Sequence, residues 1–95
     1  MASNFIKIGV AVESLLNKAG LGHVLYEARL KEKWVEIMGE KAASMTELAG
    51  LRDWKLKIRV PHAAWRMELH FQQSEILLRA NKALGGKWIK EIIFC

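Results

Sequence analysis

The sequence lacks the features that mark secreted, membrane-spanning and disulfide-bonded proteins. Cys95 is the only cysteine among 95 residues, which excludes an intramolecular disulfide and a cysteine-based metal site and fits a reducing compartment. Apolar runs are only a few residues long. The N-terminus does not have the basic region and apolar core that are typical of a signal peptide. We therefore expect a cytoplasmic protein that has no membrane partner.

Catalytic motifs are absent as well. The chain has no Gly-x-x-x-x-Gly-Lys-Ser/Thr loop, which predicts that it does not hydrolyse ATP. Glu32 and Glu36 lie one helical turn apart, but among lysines, as on a solvated helix face. The histidines lack the spacing of zinc ligands and are interpreted as surface or helix-start residues: His23, His62 and His70. The sequence thus predicts a protein that is not an enzyme and that binds no metal or cofactor.

What the sequence does have is an uneven positive charge. Its length and its 52% apolar content fit one globular domain over residues 1–95, and 15 Lys and Arg against 10 Asp and Glu give a net charge of +5. Residues 1–51 carry six basic and six acidic side chains, whereas residues 52–95 carry nine and four. The whole excess therefore lies in the second half. This suggests a polyanionic partner met by one face, with ordinary solubilising charge as the alternative.

Apolar spacing predicts three helices. The first covers about residues 3–20, and the second covers about residues 22–38, with a kinked continuation over 40–44 as an alternative end. The third follows Pro61 and covers about residues 62–84. The second helix has further apolar residues on both sides of its main apolar face, which implies that it packs against two neighbours. In the third helix, further apolar residues widen the apolar stripe along one side. The flanking residues are Val24, Ala28, Val35, Met38, Met67, Phe71, Leu77 and Leu78.

Strict alternation of apolar and basic residues predicts a half-buried strand from Trp54 to Val60. Residues 46–51 are expected to form its hairpin partner, and residues 88–94 a final strand. The resulting order, α-α-β-β-α-β, predicts an α+β fold with a three-stranded sheet.

Several short motifs follow one another along most of the chain. The run Trp34 to Gly39 comes first, then Leu56 to Val60, followed by Ala64-Trp65, Glu68-Leu69, Leu77-Leu78, Leu84-Gly85 and Ile92 to Phe94. This pattern, over about residues 21–94, resembles the DciA family of bacterial replicative helicase loaders. The resemblance implies a KH-like (K homology) domain, in which the helices lie on one face of the three-stranded sheet.

The resemblance also implies a function and partners. It implies a non-enzymatic adaptor in bacterial DNA replication that binds the hexameric replicative helicase of the DnaB type and assists its loading onto single-stranded DNA. We expect the isolated chain to be a monomer. The Gly-x-x-Gly loop with which K homology domains clamp a nucleic-acid backbone is missing here. The alternative function is a free-standing module that binds single-stranded nucleic acid and has no helicase partner.

The basic residues of the central alternating segment are the best candidates for a site. Lys55, Lys57 and Arg59 would lie on one strand face at intervals of about 6.6 Å, where they can contact successive phosphates of a single strand. A solvated sheet face, or an edge strand protected by charge, is the alternative. The residues expected to extend this nucleic-acid-binding row are Arg52, Arg66 and Lys87.

The four tryptophans divide into two groups. Trp34, Trp65 and Trp88 occur within apolar patterns and match positions of the family motif, which predicts that they are core residues. Trp54 stands where members of the family often have a turn glycine. One interpretation is that Trp54 contacts the helicase or stacks on a base. Burial is slightly favoured, because Trp54 is two residues before Leu56 and would lie on the same strand face as the apolar residues.

Overall fold

The three strands form one sheet in which the basic segment is the central strand. In the computed structural model, which describes residues 14–95, β1 (Glu47–Arg52) pairs antiparallel with β2 (Lys55–Arg59). β2 also pairs in parallel with β3 (Glu91–Phe94), which gives the strand order β1-β2-β3. The interpretation of the basic row as protection of a sheet edge was therefore wrong, because β2 has a partner on each side.

The helices lie before the sheet and within its crossover connection. They are α1 (Gly22–Glu32), α2 (Trp34–Met38), α3 (Glu40–Ser44), α4 (Ala63–Phe71) and α5 (Gln73–Leu84). Residues 14–18 are also helical and residues 19–20 form a turn, and the predicted first helix before residue 14 lies outside the described residues. Parallel strands need a long connection, which α4 and α5 provide between β2 and β3. The α+β prediction is confirmed, and this order is compatible with a KH-like domain.

The core lies on one face of the sheet, between the strands and the helices. Leu56 and Ile58 of β2 are fully buried, whereas the basic residues between them are exposed. In β1 the buried residues are Leu48 and Leu51, three positions apart, because a bulge shifts the register between Leu48 and Gly50. The fully buried helix residues that meet this face are Leu30, Ile37, Leu69 and Ile76. Each such side chain contributes about 1.5–3 kcal/mol relative to an exposed one.

Two of the predicted helices are each divided by one residue. The helix expected over 22–38 breaks at Lys33, with φ −103° and ψ 17°, and the helix expected over 62–84 breaks at Gln72, with φ −95° and ψ 7°. Residues 40–44 do continue the first of them after a turn at Gly39, whose φ is +85°. Each break redirects the chain, so that two short helical segments replace each long helix that the apolar spacing predicts.

Most of the predicted apolar flanks are not covered. Val24, Val35, Met67, Phe71 and Leu78 are between 43% and 80% exposed. A sheet of three short strands offers one face, and it covers one stripe of each helix. Of the residues that flank the second predicted helix, Met38 is buried, and of those that widen the stripe of the third, Leu77 is partly buried.

A buried asparagine fixes the segment that leads into β3. Asn81 on α5 donates from Nδ2 to the Ile89 carbonyl oxygen at 3.1 Å and accepts from the Ile89 N–H at 2.8 Å. α5 ends at Leu84, and the φ of +78° at the following Gly85 lets the Gly86 N–H reach the Asn81 carbonyl oxygen. These bonds hold the connection to β3, including Trp88, against the end of α5.

Candidate nucleic-acid interface

The outer face of the central strand carries the predicted basic row. Lys55, Lys57 and Arg59 are all exposed and alternate with the buried residues of β2. They point away from the buried core because neighbouring side chains on a strand project to opposite faces. The sequence therefore correctly predicted the face on which these three side chains lie.

Carboxylates from the flanking strands interrupt the row. Lys55 Nζ lies 3.9 Å from Glu91 on β3, and Arg59 Nη1 lies 3.2 Å from Glu47 on β1. More than half of each of these side chains is exposed, so each ion pair is worth at most about 1 kcal/mol. Lys57 has no carboxylate at ion-pair distance in the part of the chain that the structure describes. Within the described residues, the row of Lys55, Lys57 and Arg59 is thus interrupted by carboxylates on either side of Lys57, rather than being a continuous positive stripe.

A groove of about 430 Å³ runs beside Lys57, between α1 and the sheet. Arg52 and Lys55 line it together with Lys57, and Arg52 is the direct cross-strand neighbour of Lys55. Like charges at such positions repel each other, and an anion between them would relieve this repulsion. Glu27 also lines the groove, but its Oε1 accepts a hydrogen bond from the Leu51 N–H at 2.7 Å. The remaining lining residues are His23, Ala49, Gly50, Asp53 and Ile93.

The hairpin turn next to the groove has an unusual sequence for its backbone. Asp53 and Trp54 connect β1 to β2, and their φ angles are +51° and +61°. Two positive φ angles in succession are typical of a type I′ turn, in which Asn-Gly and Asp-Gly are preferred. A bulky residue at the second position costs about 1–2 kcal/mol in backbone strain. The turn therefore retains a tryptophan where glycine would be conformationally easier.

The Trp54 ring belongs to a partly exposed aromatic cluster. Its centroid is 5.5 Å from that of Tyr26 on α1 and 6.4 Å from that of Trp88, and the Tyr26 and Trp88 centroids are 5.4 Å apart. Trp54 is 36% exposed and Trp88 is 38% exposed. The prediction that Trp88 is a core residue was therefore wrong. The expectation that Trp54 is buried because it continues the alternation of the apolar residues of β2 was also wrong. Trp54 lies in the turn rather than in the strand, and Trp88 precedes β3 in an irregular segment, where alternation does not apply.

The other two tryptophans lie nearer their predicted environment. Trp34 is buried, and its Nε1 donates to Thr46 Oγ1 at 3.1 Å. Trp65 is partly buried against the core, with Lys41 Nζ 5.8 Å from its ring centroid. Trp34 thus confirms the prediction, and Trp65 confirms it in part.

The two outlying basic candidates lie in different places. Lys87 is exposed and directly precedes Trp88, so it lies beside the cluster of Tyr26, Trp54 and Trp88, which we call the aromatic corner. Arg66 lies on α4 and lines a shallow depression with Met67, Phe71 and Phe94, none of which lines the groove beside Lys57. The structure therefore does not bring Arg66 into the basic row.

Comparison with known proteins identifies the family. The family model described as "Dna[CI] antecedent, DciA" matches residues 7–94. The chain belongs to the DciA family. It is 29% identical over 84 residues to a UPF0232 protein of Rhodococcus jostii and 25% identical over 79 residues to a UPF0232 protein of Mycolicibacterium paratuberculosis. These alignments cover 88% and 83% of this chain but only 45% and 44% of the relatives. The chain thus spans less than half the length of either relative.

DciA proteins form a family of adaptors of the helicase-loader type and not a known enzyme family. Within residues 14–95, no helix is long and apolar enough to cross a membrane. The same residues contain no group of three His, Cys, Asp or Glu side chains arranged to hold a metal ion.

Proposed function

We propose that the chain is a non-enzymatic adaptor that binds the DnaB-type replicative helicase and assists its loading onto single-stranded DNA. The observation that carries the proposal is the family match, which extends over residues 7–94. Because the relatives are more than twice as long as the matched region, the proposal concerns the part that this chain represents.

DNA contact is proposed at the outer face of the sheet. Lys57 offers an ammonium group there that has no ion-pair partner among the described residues, and Arg52 and Lys55 flank the same groove. The ion pairs of Lys55 and Arg59 are exposed, so a phosphate can replace the carboxylate at little cost. These contacts would be made to the backbone of a strand, which predicts affinity without preference for base sequence.

Helicase contact is proposed at the exposed apolar surface of α4. Met67 is 67% exposed and Phe71 is 80% exposed, and they lie four residues apart on one side of the helix. Together with Phe94 and His70 they line a shallow depression of about 440 Å³. Exposed apolar surface of this kind is typical of protein-protein contacts. The depression shares no lining residue with the groove beside Lys57, so the two proposed contacts use separate residues.

Replacing Phe71 with Glu is expected to weaken helicase binding at least tenfold without loss of the fold. The substitution places a charge within the proposed apolar contact, where a central aromatic residue contributes about 2 kcal/mol or more. Calorimetric titration of the helicase with each variant measures the effect. Leu78→Glu is the matched control, because Leu78 is 69% exposed on α5 and does not line the depression. Equal losses in the two variants would argue against this surface.

A complex with the helicase is expected to form in the absence of DNA and nucleotide. Gel filtration of the purified pair after nuclease treatment tests this, and co-elution at micromolar concentrations is the expected result. Separate elution would favour the alternative function, a free-standing module that binds single-stranded nucleic acid through the same basic and aromatic surface.

A further inference from the structure

The aromatic corner holds a cleft that the proposed phosphate contacts do not use. The cleft has a volume of about 220 Å³, with His23 and Tyr26 of α1 on one side and Asp53 and Trp54 of the turn on the other. Tyr26 and Trp54 present tilted rings to each other at 5.5 Å. The cleft is thus an open, partly aromatic slot at the end of the sheet.

This cleft adjoins the basic groove. His23 and Asp53 line both of them, and Arg52, Lys55 and Lys57 line the groove alone. A strand whose phosphates lie in the groove would therefore bring a neighbouring nucleotide to the aromatic rings. Stacking of bases on aromatic side chains next to a positively charged groove is the usual arrangement in proteins that bind single strands.

The backbone of the turn gives an independent indication of function. Trp54 has a φ of +61°, a conformation that glycine adopts without strain and that a bulky residue rarely adopts. Strained backbone of this kind is concentrated at binding and catalytic sites. The Trp54 ring is about one third exposed, so core packing alone does not account for a strained tryptophan at this position. A contact with a bound partner explains it more readily.

The charges around the corner favour a nucleic acid over an apolar protein segment. Arg52 and Lys55 flank the turn in sequence, Lys87 precedes Trp88, and the Lys90 N–H donates to the Trp54 carbonyl oxygen at 2.8 Å. The nearby carboxylates are Asp53 in the turn, Glu91, which lies 3.9 Å from Lys55 Nζ, and Glu27, whose Oε1 accepts the Leu51 N–H. Cations therefore outnumber carboxylates around the exposed rings.

We propose that the Trp54 cleft binds one unpaired base of a single-stranded nucleic acid, stacked on the Trp54 ring, while the groove beside Lys57 holds the adjoining phosphates. This inference rests on the DNA contact proposed above and adds to it a requirement for the base itself. An intact duplex keeps its bases stacked on one another, so the cleft would select single strands.

Fluorescence anisotropy with two oligonucleotides of equal charge tests the proposal. One is a twelve-residue oligothymidylate, and the other has the same phosphates and abasic sugars. The full chain is expected to bind the first about tenfold more tightly, because stacking of one base is lost in the second. Trp54→Gly is expected to bind both equally while keeping the salt dependence of the parent chain. Trp54→Phe should keep part of the preference, and Leu78→Ala, a change at an exposed site on α5, should keep all of it.

The outcomes that would overturn the proposal are distinct from one another. Trp54→Gly suits the turn backbone, and circular dichroism verifies its fold. If the parent chain binds both oligonucleotides equally with a marked salt dependence, the cleft takes no base and the phosphate contact stands. If it binds neither, the DNA contact itself is refuted. If Trp54→Gly keeps the preference for bases but loses helicase affinity, the corner is a protein contact.

Discussion

Changing Lys55, Lys57 and Arg59 together to Gln is expected to lower the salt dependence of single-strand binding by about 2 units in the slope of log affinity against log salt. Each phosphate contact to a single strand contributes about 0.7 to that slope. Lys57→Gln alone should therefore account for about one third of the change. Anisotropy titrations at several salt concentrations measure both slopes. The fold should be retained, because all three side chains lie outside the core.

The structure determines the choice of Gln over Glu in this variant. A glutamate at position 55 or 59 would face Glu91 or Glu47 across the strands and would destabilise the sheet by repulsion. The matched control changes the same amount of charge on the helices, at Lys31, Lys33 and Lys82, none of which lines the groove. A folded test variant with the parent's affinity and slope would refute the phosphate contact. Its affinity for the helicase would then show whether the face binds acidic helicase residues instead.

Replacing Asn81 with Leu is expected to destabilise the protein by about 3 kcal/mol, which corresponds to a fall in Tm of roughly 15 °C for a domain of this size. Asn81 is buried, and its side chain satisfies both the N–H and the carbonyl oxygen of Ile89. Leucine has a similar volume but leaves both backbone groups without a partner. Equilibrium denaturation in urea measures the change.

Two further variants separate the hydrogen bonds from other effects of the Asn81 substitution. Gln73→Leu makes the same kind of change at an exposed position of α5 and should alter stability by less than about 0.5 kcal/mol. Asn81→Ala removes the amide without adding bulk and should also be strongly destabilising. Parent-like stability of both Asn81 variants would mean that the segment before β3 does not depend on this side chain.

Local patterns in the sequence were sufficient to predict the strand at the centre of the site. Alternation along Lys55 to Arg59 depends only on strand geometry, so it identified the buried and exposed faces of β2 without knowledge of its neighbours. The carboxylates that pair with Lys55 and Arg59 come from β3 and β1. Their positions depend on strand order and register, which the pattern within one strand does not contain.

The aromatic corner was mispredicted for a related reason. Trp54 continues the alternation of the strand by one residue, and Trp88 precedes an apolar run, so both fit a core pattern in sequence. The turn and the segment tied to Asn81 take both residues out of regular strand geometry. A signal was nevertheless available at Trp54, because a two-residue hairpin turn calls for a glycine or asparagine at that position. Asn81 gave a weaker signal, as an amide within an otherwise apolar helix face.

The three rings of the aromatic cluster come from parts of the chain that are 28 and 34 residues apart, at positions 26, 54 and 88. The β1–β2 hairpin can form from local contacts, whereas β3 can pair with β2 only after the intervening helices have brought it back. The cluster is therefore complete only when α1, the hairpin and β3 have all docked. Its tryptophan emission should report the final consolidation of the native state, and an intermediate in which β3 is detached would keep the basic hairpin but lack the contacts of the Trp88 ring with Tyr26 and Trp54.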